Sequence, residues 1–119
     1  MASYYDLVII GAGPGGYTAA IKGASFGMKV AVIDENKLGG VCINRGCIPT
    51  KALLHASNIF SMMQHSDEFG VSTDFISFDF AKMQDYKKRS VRRYRDEIQK
   101  LFDKNDITFI KGKATIRRE

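Results

Sequence analysis

The 119-residue sequence contains no apolar run that approaches the ~20 residues needed to cross a bilayer. Its N-terminus also lacks the basic region, the apolar stretch and the cleavage site of a secretory leader. We therefore expect a cytoplasmic protein that is not inserted in a membrane. The apolar fraction of 45% and the charged fraction of 26% are those of an ordinary globular chain with one modest core.

Cysteine and histidine are scarce, with two residues of each. The spacing of Cys42, Cys47, His55 and His65 matches no common zinc-binding pattern, so we predict no metal site. Two thiols this close in sequence could form an internal disulfide. In the cytosol such a pair is more often catalytic than structural, although a structural disulfide or two unrelated buried thiols remain alternatives.

A helical pattern of apolar residues begins directly after Cys47 and is predicted to continue to about Met63. A thiol at the start of a helix faces the positive end of the helix dipole, which favours the thiolate form. Residues 39–51 therefore predict a redox-active cysteine pair at the head of a helix. After this helix, we expect residues 66–80 to be irregular, with a short extended piece at 69–71.

The N-terminal part of the chain predicts a strand, a glycine-rich turn, a helix and a second strand. We expect the first strand at residues 7–10, the helix at 17–26 and the second strand at 29–33. Both strands are continuously apolar, as in parallel strands that are buried on both faces. This βαβ pattern predicts an α/β, Rossmann-like fold with a parallel sheet.

The later part of the chain predicts a second long helix and more strand. The helix is expected from its N-cap Asp79 to about Lys104, and a strand is expected at residues 107–110. Gly112 would then form a turn, and a fourth strand would begin at Ala114.

Basic residues are concentrated at positions 87–95 of the second long helix. Acidic residues interrupt this run, and the helix is amphipathic. We therefore interpret the run as a solvated helix face, and we predict no nucleic-acid partner.

The motif Gly11-x-Gly13-x-x-Gly16 follows the first strand directly and opens the helix, as in dinucleotide-binding sites. Gly11 would allow the tight turn, Gly13 would let a diphosphate approach the backbone, and Gly16 would let helix and strand pack closely. Asp34 closes the second strand, where a carboxylate would accept hydrogen bonds from a ribose and repel a 2′-phosphate. A thiol pair in the same crevice favours FAD over a nicotinamide, because a flavin exchanges electrons with a disulfide more readily.

Two stretches resemble the class I flavoprotein disulfide reductases, and within them they are most similar to the branch that oxidises dihydrolipoamide. The first is Gly-Ala-Gly-Pro-Gly-Gly-Tyr-Thr-Ala-Ala at residues 11–20. The second is Gly-Gly-Val-Cys-Ile-Asn-Arg-Gly-Cys-Ile-Pro-Thr-Lys-Ala-Leu-Leu at residues 39–54. The resemblance implies that Cys42 forms a mixed disulfide with the substrate, that Cys47 passes electrons to FAD, and that Lys51 stabilises negative charge on the flavin.

The resemblance also assigns contacts with FAD to residues along the whole chain. They are Gly11, Gly13, Gly16, Asp34, Gly39, Gly40, Val41, Cys42, Lys51, Gly112 and Ala114. Two positions depart from the family pattern, since Asp34 stands where Glu is usual and Val41 where Thr is frequent. The loop after Asp34 is one residue shorter than in many members, so Glu35 could share or take the ribose contact.

Family members are much longer than this chain. The resemblance therefore implies that residues 1–119 form the N-terminal part of an FAD-binding domain, without the NAD-binding and dimer-interface domains. Because the interface domain carries the His–Glu acid–base pair, we expect the chain alone to be inactive. The intact enzyme is expected to be a homodimer that uses FAD and NAD⁺ and acts on the lipoyl domains of 2-oxo acid dehydrogenase complexes. A glutathione-type or mercuric reductase and a non-catalytic FAD-binding module are the alternatives.

Overall fold

The chain folds around three parallel strands, and the computed structural model describes residues 2–118. The strands are β1 (Leu7–Ile10), β2 (Val30–Asp34) and β3 (Thr108–Lys111), in the spatial order β1-β2-β3. β2 is the central strand and pairs in parallel with both neighbours. The α/β fold with a parallel sheet that the sequence predicts is confirmed.

Helices connect and flank these strands. They are α1 (Pro14–Ser25), α2 (Gly40–Arg45), α3 (Cys47–Gln64), the 3₁₀ turn Ser66–Phe69 and α4 (Phe80–Lys104). Helix α1 makes the crossover from β1 to β2, whereas α2, α3 and α4 all lie between β2 and β3 in the chain. No helix within residues 2–118 is both long enough and apolar enough to span a membrane.

The predicted helices are confirmed, and α2 is an addition to them. Helix α4 begins directly after its predicted N-cap, because Asp79 Oδ1 accepts a hydrogen bond from the Lys82 backbone N–H at 3.1 Å. This side-chain bond satisfies one of the donors that a helix start leaves without a partner.

Two predicted extended segments are wrong. The piece predicted at residues 69–71 is replaced by the 3₁₀ turn, which ends at Gly70 with a φ of 76°. The strand predicted from Ala114 does not form, and residues 113–118 have no regular structure. A strand needs a neighbour for its backbone N–H and C=O groups, and within residues 2–118 β3 pairs with β2 alone.

The core lies between the central strand and helices α1 and α4. Its largest fully buried side chains are Val30 and Val32 on β2 and Phe102 on α4. Ala20 of α1 is buried in the same cluster. Full burial of a side chain as large as Val or Phe contributes about 1.5–3 kcal/mol, so this cluster holds α4 against the sheet in one orientation.

Candidate functional site

The glycine motif forms the turn between β1 and α1. Gly11 has a φ of 106°, a left-handed conformation that glycine adopts without steric cost. A Cβ atom on Gly16 would overlap the Gly11 carbonyl oxygen, so a glycine is needed for α1 to pack this closely on the turn. The tight turn and the close packing expected at these two glycines are both present.

The first turn of α1 presents backbone donors to open space. Gly13 is the N-cap, no side chain caps the helix, and the first turn contains no acidic residue. Nothing lies within 4 Å of the position that a Cβ atom on Gly15 would occupy. The N–H groups of a first turn have no partner inside the helix and sit at its positive end. This end of α1 therefore fits the diphosphate of a dinucleotide.

Ala12 connects the glycine turn to two other parts of the site. Its backbone N–H donates to Asp34 Oδ2 at 2.8 Å, and its carbonyl oxygen accepts from the Gly39 N–H at 2.9 Å. Asp34 Oδ1 accepts a further hydrogen bond from the Asn36 N–H at 2.8 Å. These bonds, above all the one from Ala12, hold the pKa of Asp34 below its ordinary value, so the carboxylate is ionised at neutral pH.

Asp34 and Glu35, the two candidates for a ribose contact, differ in position. Asp34 is half-buried and lines the main cavity described below. Each of its oxygens has one bond from the backbone and retains capacity for another donor. Glu35 is exposed and lies outside the lining of that cavity. The geometry therefore favours Asp34 for the ribose contact.

The loop that carries the first cysteine runs backbone to backbone against the glycine turn. Gly39 and Gly40 both have left-handed backbones, with φ values of 105° and 64°. A Cβ atom on Gly40 would lie 2.6 Å from the Gly13 Cα, which is closer than real Cβ contacts allow. The two glycines thus bring the expected diphosphate site into direct contact with the cysteine segment.

Cys42 lies in α2, a short helix that the sequence analysis did not predict, and Cys47 is the first residue of α3. Both are free thiols, Cys42 half-buried and Cys47 exposed. The hydrogen bond between the two thiols raises the pKa of Cys42, and burial and the negative charge of Cys47 raise it further. Cys47 thus lies close enough to Cys42 to make Cys42 keep its proton more readily than an ordinary cysteine does.

Tyr17 is a further residue that senses the charge of the thiols, and the sequence did not predict a role for it. It lies on α1 and is half-buried against the core. Burial raises its pKa, and negative charge on Cys42 and Cys47 raises it further. Its hydroxyl therefore keeps its proton at neutral pH. In the sequence, the position of Tyr17 one helical turn after Gly13 was the feature that could have marked it as a site residue.

Asn44 holds together three segments around the site. Its Nδ2 atom donates to the carbonyl oxygens of Leu38 and Gly40, at 3.1 and 2.9 Å. Its Oδ1 atom accepts from Arg95 Nη1 at 2.9 Å. The side chain thus links the loop before α2, α2 itself and α4.

A cavity of about 870 Å³ lies between the glycine turn, the α2 loop and α4. Gly13, Asp34, Gly40 and Val41 belong to one side of it. Its volume is within the range of roughly 300–1,000 Å³ that is usual for ligand sites. Four of the residues predicted to contact FAD are therefore gathered around one cavity.

The other side of the cavity is formed by basic residues of α4. They are Lys87, Lys88, Arg92 and Arg95, together with the apolar Val91. The interpretation of the basic run as a solvated face agrees with the exposure of Lys88 and Arg92, while Lys87 and Arg95 are half-buried. It did not include the cavity that these four cations line. Their neighbours Arg89 and Arg93 are exposed and do not line the cavity. The spacing of the cations in the sequence indicates that they share one face of the helix. It does not indicate which part of the protein that face lies against.

The other seven residues expected near FAD lie outside the cavity lining. Gly11, Gly16, Gly39 and Cys42 belong to the glycine turn and the α2 segment described above, and the remaining three lie further along the chain. Lys51 is exposed on α3. Gly112 follows β3, and its N–H donates to the Asp34 carbonyl oxygen at 2.9 Å, so it lies at the same end of the sheet as Asp34. Ala114 is half-buried in the irregular segment that follows.

The two histidines have positions typical of helix surfaces. His55 is exposed on α3, with its ring centre 6.4 Å from that of Tyr86 on α4. The Nδ1 atom of His65 lies 2.9 Å from the Ser61 carbonyl oxygen at the end of α3. No group of three His, Cys, Asp or Glu side chains able to hold a metal ion occurs in the part of the chain that the structure describes.

The fold and the site together define a dinucleotide-binding α/β protein with a dithiol next to its glycine turn. A family model described as pyridine nucleotide-disulphide oxidoreductase matches residues 5–119. The chain belongs to this family, which confirms the relationship that the two sequence stretches indicated.

Curated relatives in this family carry the name dihydrolipoyl dehydrogenase. The protein from Staphylococcus aureus is 46% identical over 109 residues, which are 92% of this chain and 23% of the relative. The protein from Manduca sexta is 48% identical over 113 residues, or 93% of this chain and 23% of the relative. The one from Chlamydia muridarum is 44% identical over 116 residues, or 98% and 25%. The chain thus spans about a quarter of the length of these relatives.

Proposed function

We propose that the chain is the FAD-binding and thiol-bearing N-terminal part of a dihydrolipoyl dehydrogenase. The intact enzyme would oxidise protein-bound dihydrolipoamide and pass the electrons to NAD⁺. The observation that carries this proposal is the backbone contact of Gly40 with Gly13, because it joins the segment of the Cys42–Cys47 pair to the dinucleotide turn. The shared name of the relatives supports lipoamide as the substrate.

The remaining parts of the proposal concern the intact protein. Its NAD-binding and dimer-interface domains would lie outside residues 1–119, and it would act as a cytoplasmic homodimer on the lipoyl domains of 2-oxo acid dehydrogenase complexes. The small share of each relative that the chain covers supports this division.

The residues around the cavity fit FAD. The first turn of α1 offers uncapped donors for the diphosphate, and the ionised Asp34 offers acceptors for the ribose. Gly13, Gly40 and Val41 line the cavity where the glycine turn meets α2. When bound, FAD would supply the two-electron acceptor that links the thiol pair to NAD⁺.

In the proposed reaction the two cysteines have different roles. A thiolate of dihydrolipoamide attacks the Cys42 sulfur of the oxidised pair, which forms a mixed disulfide and releases Cys47 as a thiolate. The start of α3 stabilises that negative charge. The second substrate thiol then displaces Cys42 and leaves as part of lipoamide.

The protons of the substrate need an acceptor, and the pKa of Cys42 explains why. Because that pKa is raised, Cys42 leaves the mixed disulfide more readily as a thiol than as a thiolate. A base must therefore take a proton from the substrate and return it to Cys42, the role expected of the His–Glu pair of the interface domain. The 119-residue chain alone should then show no dihydrolipoamide:NAD⁺ turnover, and measurable turnover would contradict this division of labour.

The roles of the two cysteines can be tested by absorption spectroscopy of the FAD-loaded chain after reduction with a dithiol. A thiolate next to an oxidised flavin gives a long-wavelength charge-transfer band. We expect this band in the unmodified chain and in Cys42→Ser, and we expect Cys47→Ser to remove it. A band that survives Cys47→Ser would overturn the role of Cys47, and a chain that binds no FAD would overturn the proposed function.

A further inference from the structure

Four basic residues of α4 indicate a ligand-binding role for this helix, in addition to the role of the glycine motif. Lys87, Lys88, Arg92 and Arg95 line the cavity, and their spacing of one, four and three residues places them on one face of the helix. The orientation of this face is fixed from two sides. Phe102 of α4 is fully buried in the core. Arg95 of α4 donates a hydrogen bond to the part-buried side chain of Asn44 on α2.

The charge of the cavity is strongly one-sided. Six basic residues line it, and Asp34 is the one acidic residue in the lining. Both oxygens of Asp34 already accept backbone hydrogen bonds. Within residues 2–118, the ion pair closer than 4.0 Å joins Arg93 to Glu97 and does not involve the cavity. The positive charge of the lining is therefore not neutralised by carboxylates, and the cavity favours an anion.

We propose that the cavity face of α4 is an electrostatic clamp for the diphosphate of the bound dinucleotide, opposite the glycine turn. This inference rests on the proposed function and adds a second set of residues to the same site. Gly13 and the four cations line one cavity, so a diphosphate seated at Gly13 faces them across it. The turn supplies neutral N–H donors, and the helix supplies full positive charges, which form the stronger hydrogen bonds with phosphate.

The chain offers matched controls for a test of this clamp. Lys88 and Arg92 line the cavity, while Arg89 and Arg93 follow them directly in the sequence and do not line it. All four side chains are exposed, so their replacement should leave the core intact. Lys88→Gln and Arg92→Gln are therefore compared with Arg89→Gln and Arg93→Gln, which make the same change in net charge.

Binding of three ligands to the purified chain is measured at low and at raised ionic strength. FAD is followed by its fluorescence, and ADP and inorganic pyrophosphate are followed by titration calorimetry. Each cavity substitution should weaken binding about two- to fivefold, and the double substitution should weaken it about tenfold or more. The control substitutions should change affinity by less than about twofold. The double cavity variant should also depend less on ionic strength, because fewer charges contact the ligand.

The outcomes separate the clamp from the FAD assignment. Equal losses in the cavity and control variants, or unchanged FAD affinity in the double cavity variant, would overturn the clamp alone. If ADP and pyrophosphate bind through Lys88 and Arg92 but FAD does not bind, the clamp stands and the proposed function falls. If none of the three ligands binds to a chain whose circular dichroism shows it folded, both proposals fall.

Discussion

The Arg95 guanidinium on α4 donates a hydrogen bond to Asn44 Oδ1 on α2 at 2.9 Å, across 51 positions of sequence. Asn44 uses its Nδ2 atom for the carbonyl oxygens of Leu38 and Gly40. One amide side chain therefore connects the basic helix to the segment that carries Cys42. This contact therefore couples the position of the α4 residues that line the cavity to the position of Cys42.

Replacement of Asn44 should measure that coupling. We expect Asn44→Ala to lower the free energy of unfolding by about 1–3 kcal/mol, because it leaves part-buried polar groups without partners. Urea denaturation checks the value. Gln99→Ala is the control, since it removes an exposed side-chain bond to Asp103 within α4 and should cost less than about 1 kcal/mol. Equal losses in the two variants would show that the Asn44 contacts add no stability.

A methyl group at Gly40 should separate the glycine turn from the α2 loop. Gly40→Ala combines a left-handed backbone with a Cβ atom 2.6 Å from the Gly13 Cα. Gly27→Ala has similar backbone strain, with a φ of 80°, but meets open space. The Gly27 variant should lose about 1 kcal/mol and the Gly40 variant clearly more, with weaker FAD binding as well. Thermal unfolding and FAD titration measure both effects, and similar behaviour of the two variants would argue against a tight contact between the loops.

The Asp34 carboxylate should contribute stability that depends on pH. Asp34→Asn replaces an acceptor of two backbone N–H groups by an amide with one acceptor oxygen, so we expect a loss of about 1.5–3 kcal/mol at pH 7. The folded pKa of Asp34 is lowered, so its stabilisation is fully present above the unfolded value of about 4. It is lost as the pH falls through the lower, folded value.

Urea denaturation over a pH series tests this prediction. The difference in unfolding free energy between the native chain and Asp34→Asn should shrink as the solution is acidified below about pH 4. Asp103→Asn, at an exposed carboxylate of α4, serves as the control and should show a small difference at every pH. A difference for Asp34→Asn that stays constant down to strongly acidic pH would contradict the depressed pKa.

The pH at which Cys42 becomes reactive should depend on the presence of Cys47. The hydrogen bond with Cys47 is the largest cause of the raised pKa of Cys42, and the charge of Cys47 adds to it. Cys47→Ala removes both causes, so the pKa of Cys42 should fall toward its ordinary value and alkylation by iodoacetamide should begin at lower pH. Mass spectrometry of the modified peptide gives the rate at each pH. Tyr17→Phe retains Cys47 and is the control, and a profile in Cys47→Ala that does not move to lower pH would contradict the contact between the thiols.

The sequence predicts well those features that depend on neighbouring residues. The βαβ start, the glycine turn and the Asp79 cap each follow from residues within a few positions of one another, and each is present. The same local rules placed Cys47 at a helix start. In these cases side-chain size, backbone freedom and hydrogen-bonding capacity act before distant parts of the chain meet.

Features that depend on distant contacts were missed or misread. The basic residues of α4 share a face by their spacing, but only the packing of Phe102 and the bond from Arg95 turn that face toward the cavity. The bond from Ala12 to Asp34 joins residues 22 positions apart. The strand predicted from Ala114 has suitable residues, but strand structure also depends on a neighbouring strand.

The order of the strands has a consequence for how the chain folds. β1 and β2 are joined by α1 alone, whereas β2 meets β3 only after α2, α3 and α4 have been inserted between them. Pairing across so long a stretch of chain is slow, because loop closure must precede any favourable contact. We therefore expect the glycine turn to form early and the cavity face of α4 to reach it late. A nucleotide held between the glycine turn and α4 would stabilise the last step of folding. Its removal should therefore expose α4 and β3 to proteolysis before the unit formed by β1, α1 and β2.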